Sequence, residues 1–142
     1  MNRIERGEGF SIVELLIVIG VIGILTAIGI PMYTKLTEAA EDGVDHRNAQ
    51  VLSQVSTGAD VVGLTFGTGG VQLLDLVNTV NRTVDGATLD KPGHALDGAF
   101  FGVPNLTAEE KFGASSFLEM SADGRRLVYK RDGRLIATGN PY

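Results

Sequence analysis

The chain has 142 residues, with 17 acidic and 12 basic side chains and a formal net charge of −5. That length fits one globular domain with one further segment, and the acidic balance argues against a general nucleic-acid binder, which would carry a basic surface. The sequence contains no cysteine, which excludes disulfides, thiolate metal sites and cysteine nucleophiles.

An uninterrupted uncharged run extends from Leu15 to Thr34. Its twenty positions are enough to cross the apolar core of a bilayer at about 1.5 Å per residue. Because the run is apolar on every side, a helix formed by it needs lipid or other helices around it. Arg3 and Arg6 precede the run, and the positive-inside rule therefore predicts a cytoplasmic N-terminus, with Tyr142 on the outer side.

Three other interpretations of this run are open. It can be the core helix of a soluble domain, although it is long and uniform for that purpose. It can be the apolar region of a cleaved secretory signal, since Ala27-Ile28-Gly29 is an acceptable small-x-small cleavage site, but Glu14 fits that interpretation poorly. It can also be a simple membrane anchor, which leaves the order Gly-Phe-x-x-x-Glu unexplained.

The segment Gly9-Phe10-Ser11-Ile12-Val13-Glu14-Leu15 closely resembles the prepilin cleavage and methylation motif of type IV pilins and type II secretion pseudopilins. The resemblance covers Met1–Leu36 and rests on a short charged leader, a Gly–Phe junction, a following glutamate and an apolar run. It implies that residues 1–9 are a leader peptide, that a prepilin peptidase cleaves between Gly9 and Phe10, and that Phe10 is then N-methylated.

Glu14 is the residue whose position most needs an explanation. A carboxylate costs roughly 2.5–3.5 kcal/mol at the centre of a bilayer and less near the interface. Glu14 lies four residues after Phe10, so the two share a helical face. The resemblance implies that Glu14 neutralises the N-terminal amine of a neighbouring subunit during assembly and so sets the docking register. The alternative is a tolerated interfacial glutamate without that role.

Glycines interrupt the apolar run at Gly20, Gly23 and Gly29, and Pro31 follows. Glycine lowers helix propensity by about 1 kcal/mol relative to alanine, and proline removes a backbone donor. In lipid we expect the segment to stay helical, because unpaired backbone groups are expensive there. Within a filament the resemblance implies local unwinding between Gly23 and Pro31. Close helix packing at the glycines is the alternative.

After Pro31 the pattern becomes amphipathic, with apolar residues at helical spacing and charged residues on most of the other face. The apolar positions are Leu36, Ala40, Val44, Val51 and Val55. The pattern predicts one helix from Phe10 to Thr57, with residues 10–34 as its membrane and assembly part and residues 35–60 as its amphipathic continuation. We interpret the charged face as solvated surface.

Residues 61–142 are predicted to form a globular head. Val71–Val80 has the pattern of a second helix, and a loop from Arg82 to Gly98 follows. The apolar face of that helix would comprise Leu73, Leu74, Val77 and Val80. Thr107 and Glu110 match a capping box, which predicts a short helix over Ala108–Phe112.

Three strand-like runs follow: Ser116–Met120, Arg126–Lys130 and Leu135–Thr138. Asp-Gly dipeptides, which favour hairpin turns, separate them. They predict a three-stranded antiparallel meander packed on the long helix. Its packing face would comprise Leu118, Leu127, Tyr129 and Ile136. The predicted fold class is therefore α+β, with a long N-terminal helix on a small C-terminal antiparallel sheet, an architecture that also resembles the pilin fold.

The sequence shows no catalytic constellation and no cofactor motif. Gly63–Gly70 is rich in glycine but lacks the Lys-Ser/Thr of a phosphate loop, and His46 and His94 lack ligand spacing. Three aspartates of one loop are candidates for calcium, a cation that prefers oxygen ligands, although their spacing matches no calcium loop and solvated turn residues are the alternative. They are Asp85, Asp90 and Asp97.

These observations predict a structural subunit of a type IV pilus-like filament rather than an enzyme. The expected partners are other copies or related pilins, a prepilin peptidase and an inner-membrane assembly platform. The subunit would cross the inner membrane once before assembly, and then belong to an extracellular pilus or a periplasmic pseudopilus. A pseudopilin of a type II secretion system and a membrane-anchored or secreted binding module remain the alternatives.

Overall fold

The computed structural model describes residues 9–133 of the chain. The chain divides into two compact units, one ending at Ala39 and the other beginning at Ala40. The long helix α1, Ile12–Val61, contributes to both. The predicted long helix is confirmed, although it begins two residues later and ends four residues later than the predicted range of Phe10 to Thr57.

The described part of the first unit consists of the start of α1 and the three residues before it. Every described residue of this unit is exposed. Within residues 9–133, α1 is the one helix whose length and composition suffice to cross a membrane, and its most apolar window has no buried residue. Pro31 lies inside the helix and does not end it.

The second unit is built around a core to which α1 contributes a stripe of small and apolar side chains. The buried residues of α1 are Ala49, Leu52, Ser56 and Ala59. This stripe differs from the predicted one, since Val44 is 48% exposed and Val51 and Val55 are half-buried. The small residues on the buried stripe let the neighbouring backbone approach closely, which the periodicity of large apolar residues does not reveal.

Helix α2, Leu73–Asp85, is longer than the predicted Val71–Val80. Leu76, Val77, Val80 and Val84 face the core, whereas the predicted core residues Leu73 and Leu74 are 38% and 69% exposed. That part of the prediction was wrong. The carboxylate of Asp75 accepts hydrogen bonds from the backbone N–H of Gln72 at 3.0 Å and from the Thr68 hydroxyl at 2.9 Å. These bonds fix the start of the helix at Leu73, and the first buried residue of the helix is Leu76.

The predicted loop from Arg82 to Gly98 is only partly irregular. Its first four residues belong to α2. Strand β1, Ala87–Thr88, then pairs antiparallel with strand β2, Phe100–Phe101. Strands of two residues have too little alternation for a period-2 pattern to reveal them.

Helix α3, Ala108–Ser115, begins at the predicted capping box and ends three residues beyond the predicted Phe112. The Thr107 backbone N–H donates to Glu110 Oε2 at 2.8 Å, and the Glu110 N–H donates to Thr107 Oγ1 at 3.2 Å. The bond from the Thr107 backbone lowers the pKa of Glu110 below its ordinary value. The capping box prediction is confirmed.

Strands β3, Leu118–Met120, and β4, Leu127–Tyr129, form an antiparallel hairpin in which Leu118 pairs with Tyr129 and Met120 with Leu127. Leu118 and Leu127 are fully buried, and Tyr129 packs against the core. The predicted third strand, Leu135–Thr138, and its core residue Ile136 lie outside the described residues. The helix and the antiparallel pairs confirm an α+β fold of the pilin type.

Polar contacts attach the end of α1 to the β3–β4 hairpin. Asp60 accepts hydrogen bonds from Arg125 Nε at 3.0 Å and Thr65 Oγ1 at 3.1 Å, and Arg126 Nη1 lies 3.4 Å from its other oxygen. The bond from Arg125 is the largest cause that lowers the pKa of Asp60 below its ordinary value. Closer to the N-terminus of α1, the His46 ring stacks on Phe117, and its Nδ1 lies 2.9 Å from the Tyr129 hydroxyl.

Candidate functional site

The candidate functional site is the start of α1, where the resemblance places cleavage, methylation and assembly. The Ser11 backbone N–H donates to Glu14 Oε2 at 2.9 Å, and Ser11 Oγ accepts from the Val13 N–H at 3.3 Å. The Leu15 N–H donates to the Ser11 carbonyl at 3.1 Å, which closes the first helical turn. Ser11 therefore caps the helix, and Glu14 completes the cap from the first turn.

Gly9 and Phe10 lie before this cap and outside the helix. The helix begins two residues after the predicted Phe10, because the Ser11 cap stops helical hydrogen bonding there. Phe10 is 85% exposed. The predicted scissile peptide bond is therefore in non-helical backbone with no described side chain covering it.

Ser11 is the residue of this site that sequence reasoning missed. Ser11 and Glu14 have the Ser-x-x-Glu spacing of a capping box. The same rule correctly located the start of α3 at Thr107 and Glu110. At the long helix the same spacing coincides with the prepilin motif, whose resemblance implies an intermolecular role for the glutamate.

Among residues 9–133, nothing buries the apolar part of α1 on any side. A Cβ added at Gly20, Gly23 or Gly29 would meet no other side chain or distant backbone atom within 4 Å. Within residues 9–133 the glycines therefore make no packing contact that requires their small size. In this structure the predicted unwinding segment from Gly23 to Pro31 is helical, as expected for the segment in lipid. Its unwinding in a filament stays a prediction.

Charged side chains begin again directly after the apolar run, at Lys35 and Glu38, and both are exposed. Farther along α1, Asp45 is half-buried beside other carboxylates. Burial is the largest cause that raises the pKa of Asp45 above its ordinary value, and repulsion from Asp42 and Glu41 acts in the same direction.

The three calcium candidates do not come together as a metal site. Asp85 ends α2, while Asp97 accepts a hydrogen bond from the backbone N–H of Lys91 at 2.9 Å. Asp90 is exposed. Within residues 9–133, no three or more His, Cys, Asp or Glu side chains form a group that could hold a metal ion.

Comparison with known proteins gives two relatives. The chain is 32% identical over 136 residues to fimbrial protein EcpC of Eikenella corrodens, covering 77% of this chain and 89% of that protein. It is 38% identical over 60 residues to prepilin peptidase-dependent protein D of Escherichia coli, covering 38% of this chain and 41% of that protein. The match thus spans about two fifths of the length of the second relative. No family model and no solved structure matches the chain.

The fold and the relatives together define a class. The fimbrial relative is matched over most of its length, and the long apolar helix with an α+β head is the architecture that the sequence resemblance predicts. The chain belongs to the pilin and pseudopilin family. Neither relative's name denotes an enzyme, and the role of the chain is of the pilin type.

Proposed function

We propose that the chain is a structural subunit of a type IV pilus-like filament, and that it polymerises through α1 after a prepilin peptidase removes residues 1–9. The observation that carries the proposal is that Gly9 and Phe10 directly precede a helix that holds Glu14 in its first turn, and that the apolar residues of this helix up to Leu36 are all exposed within residues 9–133. Such a surface needs lipid or other helices around it. A subunit that moves from a membrane into a filament uses both.

Cleavage between Gly9 and Phe10 creates a cationic amine just before the first turn of α1, and that turn already holds the Glu14 carboxylate. Glu14 uses one oxygen to accept the Ser11 N–H, and a carboxylate has further acceptor sites free for an ammonium group. The methylated amine of Phe10 from a neighbouring copy would complete the pair. Inside a bundle of helices an unpaired charge is costly, so Glu14 favours the docking position that supplies the amine.

The proposed topology has a cytoplasmic N-terminus and a single inner-membrane span before assembly. The partners are the prepilin peptidase, an inner-membrane assembly platform and further copies of the same or a related pilin. The match to a fimbrial protein over 89% of its length supports an extracellular pilus over a periplasmic pseudopilus. Gly23, Gly29 and Pro31 would let the helix unwind locally as the subunits pack.

The mass and the N-terminal residue of the mature protein test this proposal. Filaments sheared from cells should contain a chain that begins at an N-methylated Phe10. A chain that begins at Ile30 would indicate an ordinary signal peptide, and an intact Met1 would indicate an anchor; either result contradicts the proposal. A Gly9→Val variant, in which a bulky residue replaces the one at the cut, should remain full-length in the membrane and give no filaments.

A further inference from the structure

The backbone N–H of Ser11 has a partner that is incompatible with a longer helix. It donates to Glu14 Oε2 at 2.9 Å, whereas a helix that continued toward the N-terminus would direct it to the carbonyl four residues earlier. The first bond of the helical ladder is the next one along the chain, from the Leu15 N–H to the Ser11 carbonyl at 3.1 Å. The cap therefore fixes the point at which α1 begins.

The Ser11 hydroxyl acts on the predicted scissile carbonyl itself. In a helix that ran through this region, the N–H of Val13 would donate to the carbonyl of Gly9, four positions earlier. Ser11 Oγ accepts that N–H instead, at 3.3 Å. Within residues 9–133 no backbone donor to the Gly9 carbonyl is found, and the neighbouring Phe10 is 85% exposed. The carbonyl at the predicted cut is thus left free by the cap.

A peptidase requires such a free carbonyl. Hydrolysis adds water across the amide, so that Gly9 keeps a carboxylate and Phe10 gains the amine. The developing charge on the carbonyl oxygen has to be stabilised by groups of the enzyme, and exposed non-helical backbone is the usual place of proteolytic cleavage. If the helix ran through Gly9, its own N–H groups would hold this oxygen, and the turn would have to open before cleavage.

We propose that Ser11 is a positioning residue for the prepilin peptidase, because its cap keeps the Gly9 carbonyl outside the helix. This inference rests on the proposed function, in which that enzyme removes residues 1–9. Ser11 acts through the backbone and takes no part in the reaction. Glu14 supplies the other half of the cap, so it has a role before the cut in addition to its proposed pairing afterwards.

The kinetics of leader removal test the proposal on the full chain in detergent micelles with a purified prepilin peptidase. Ser11→Ala should raise KM about fivefold, equivalent to about 1 kcal/mol of lost capping. The value of kcat should stay unchanged, because only the fraction of chains with a free carbonyl binds the enzyme. Ser11→Thr keeps a capping hydroxyl and should match the wild type. The slower cut still delivers mature subunit, so Ser11→Ala should continue to assemble.

A proline tests the mechanism without any hydroxyl. Ile12 is the first residue of α1, a position that accommodates proline well, and proline keeps the residue before it out of helical backbone. Ile12→Pro added to Ser11→Ala should therefore return KM to within about twofold of the wild type. Ile12→Pro alone should leave KM unchanged. If the proline does not rescue Ser11→Ala, the enzyme contacts the hydroxyl directly and the proposal is overturned.

The remaining outcomes separate this inference from the proposed function. If the wild type is cut between Gly9 and Phe10 and Ser11→Ala has the same KM, the positioning role is wrong and the filament function stands. A lower kcat at unchanged KM in Ser11→Ala would also overturn the positioning role, since it would place Ser11 in the transition state. If the wild-type chain is not cut between Gly9 and Phe10, the proposed function fails and this inference fails with it.

Discussion

The hydroxyl of Ser56 accepts a hydrogen bond from the backbone N–H of Leu127 at 3.0 Å, and both residues are fully buried. One turn earlier on α1, the Ser53 hydroxyl donates to the Leu127 carbonyl at 3.0 Å. Two serines of the helix thus satisfy both backbone groups of one residue of β4. Because a hydroxyl is small, the helix and the strand also approach closely at this point.

Ser56→Ala should destabilise the head by about 1–3 kcal/mol, because it leaves the buried N–H of Leu127 without an acceptor. Ser53→Ala is the matched control: Ser53 is only half-buried, and its loss should cost about 0.5–1.5 kcal/mol. Pulse proteolysis in urea on the full chain in detergent micelles measures both changes. Hydrogen exchange at the Leu127 amide should accelerate in Ser56→Ala more than in Ser53→Ala. Equal effects would contradict the buried bond.

The contact of Asp60 with Arg125 and Arg126 predicts a pH dependence at the acidic end. The lowered pKa of Asp60 means that the unfolded state binds its proton more tightly, so stability from this group is present above about pH 3.8 and is lost as the pH falls through the lowered pKa. The guanidinium groups are 51% and 42% exposed, and screening limits the contribution to about 1 kcal/mol.

Asp60→Asn should therefore destabilise the head at neutral pH and flatten the acid limb of its stability curve. The measurement is the urea midpoint from about pH 2 to pH 6, for the wild type and the variant. Glu119→Gln breaks the exposed pair with Lys130 and should leave neutral stability almost unchanged, as expected for a surface ion pair. If Asp60→Asn loses stability at acidic pH as steeply as the wild type does, that loss comes from other carboxylates.

Glu14→Ala should abolish filament formation while the subunit still enters the membrane, because the Phe10 amine of a neighbour then lacks its anion. Ser11→Ala separates this role from helix capping. It removes the hydroxyl of the cap but leaves the Glu14 carboxylate and the Ser11 N–H in place, so assembly should continue. The ratio of sheared filament to membrane-inserted subunit is the readout. Unchanged assembly in Glu14→Ala would refute the register role of Glu14.

The sequence predicted best those features that depend on neighbouring residues. The long apolar helix follows from twenty uncharged positions, and α3 follows from the side chain of Thr107 bonding to a backbone group three residues on. The Asp-Gly turn at Gly124 likewise needs only local information. In each case the responsible interaction lies within a few residues of the chain.

Features that depend on distant contacts were harder to predict. Ser56 has no apolar character that would mark it as a core residue, and its partner Leu127 lies 71 residues away. Of the residues predicted for the apolar face of α2, Val77 and Val80 are buried, whereas Leu73 and Leu74 lie in its first turn and are exposed. Of the candidate site, the motif gave Gly9, Phe10 and Glu14, whereas the capping role of Ser11 emerged from the hydrogen bonds.

Two glycines in different turns can be compared: Gly124 lies between β3 and β4, and Gly98 lies between β1 and β2. Gly124 has φ of 65° and Gly98 has φ of 78°, a region that costs an L-residue roughly 1–2 kcal/mol. The N–H of each donates to a backbone carbonyl at 2.8 Å. Their surroundings differ, since a Cβ at Gly124 would lie 2.4 Å from the backbone of Gly69, whereas a Cβ at Gly98 would meet nothing within 4 Å.

Gly98→Ala should therefore cost about 1–2 kcal/mol from backbone strain alone. Gly124→Ala should cost about 3 kcal/mol or more, because backbone atoms of the Gly69 loop cannot move aside as a flexible side chain would. Urea midpoints of the two variants, measured on the full chain in micelles, give the difference directly. Equal losses would mean that the Gly69 loop can move away from the turn without cost. A larger loss at Gly124 would show that this loop, bonded to the turn through Gly69 N–H and Gly124 carbonyl at 3.0 Å, is a fixed part of the head.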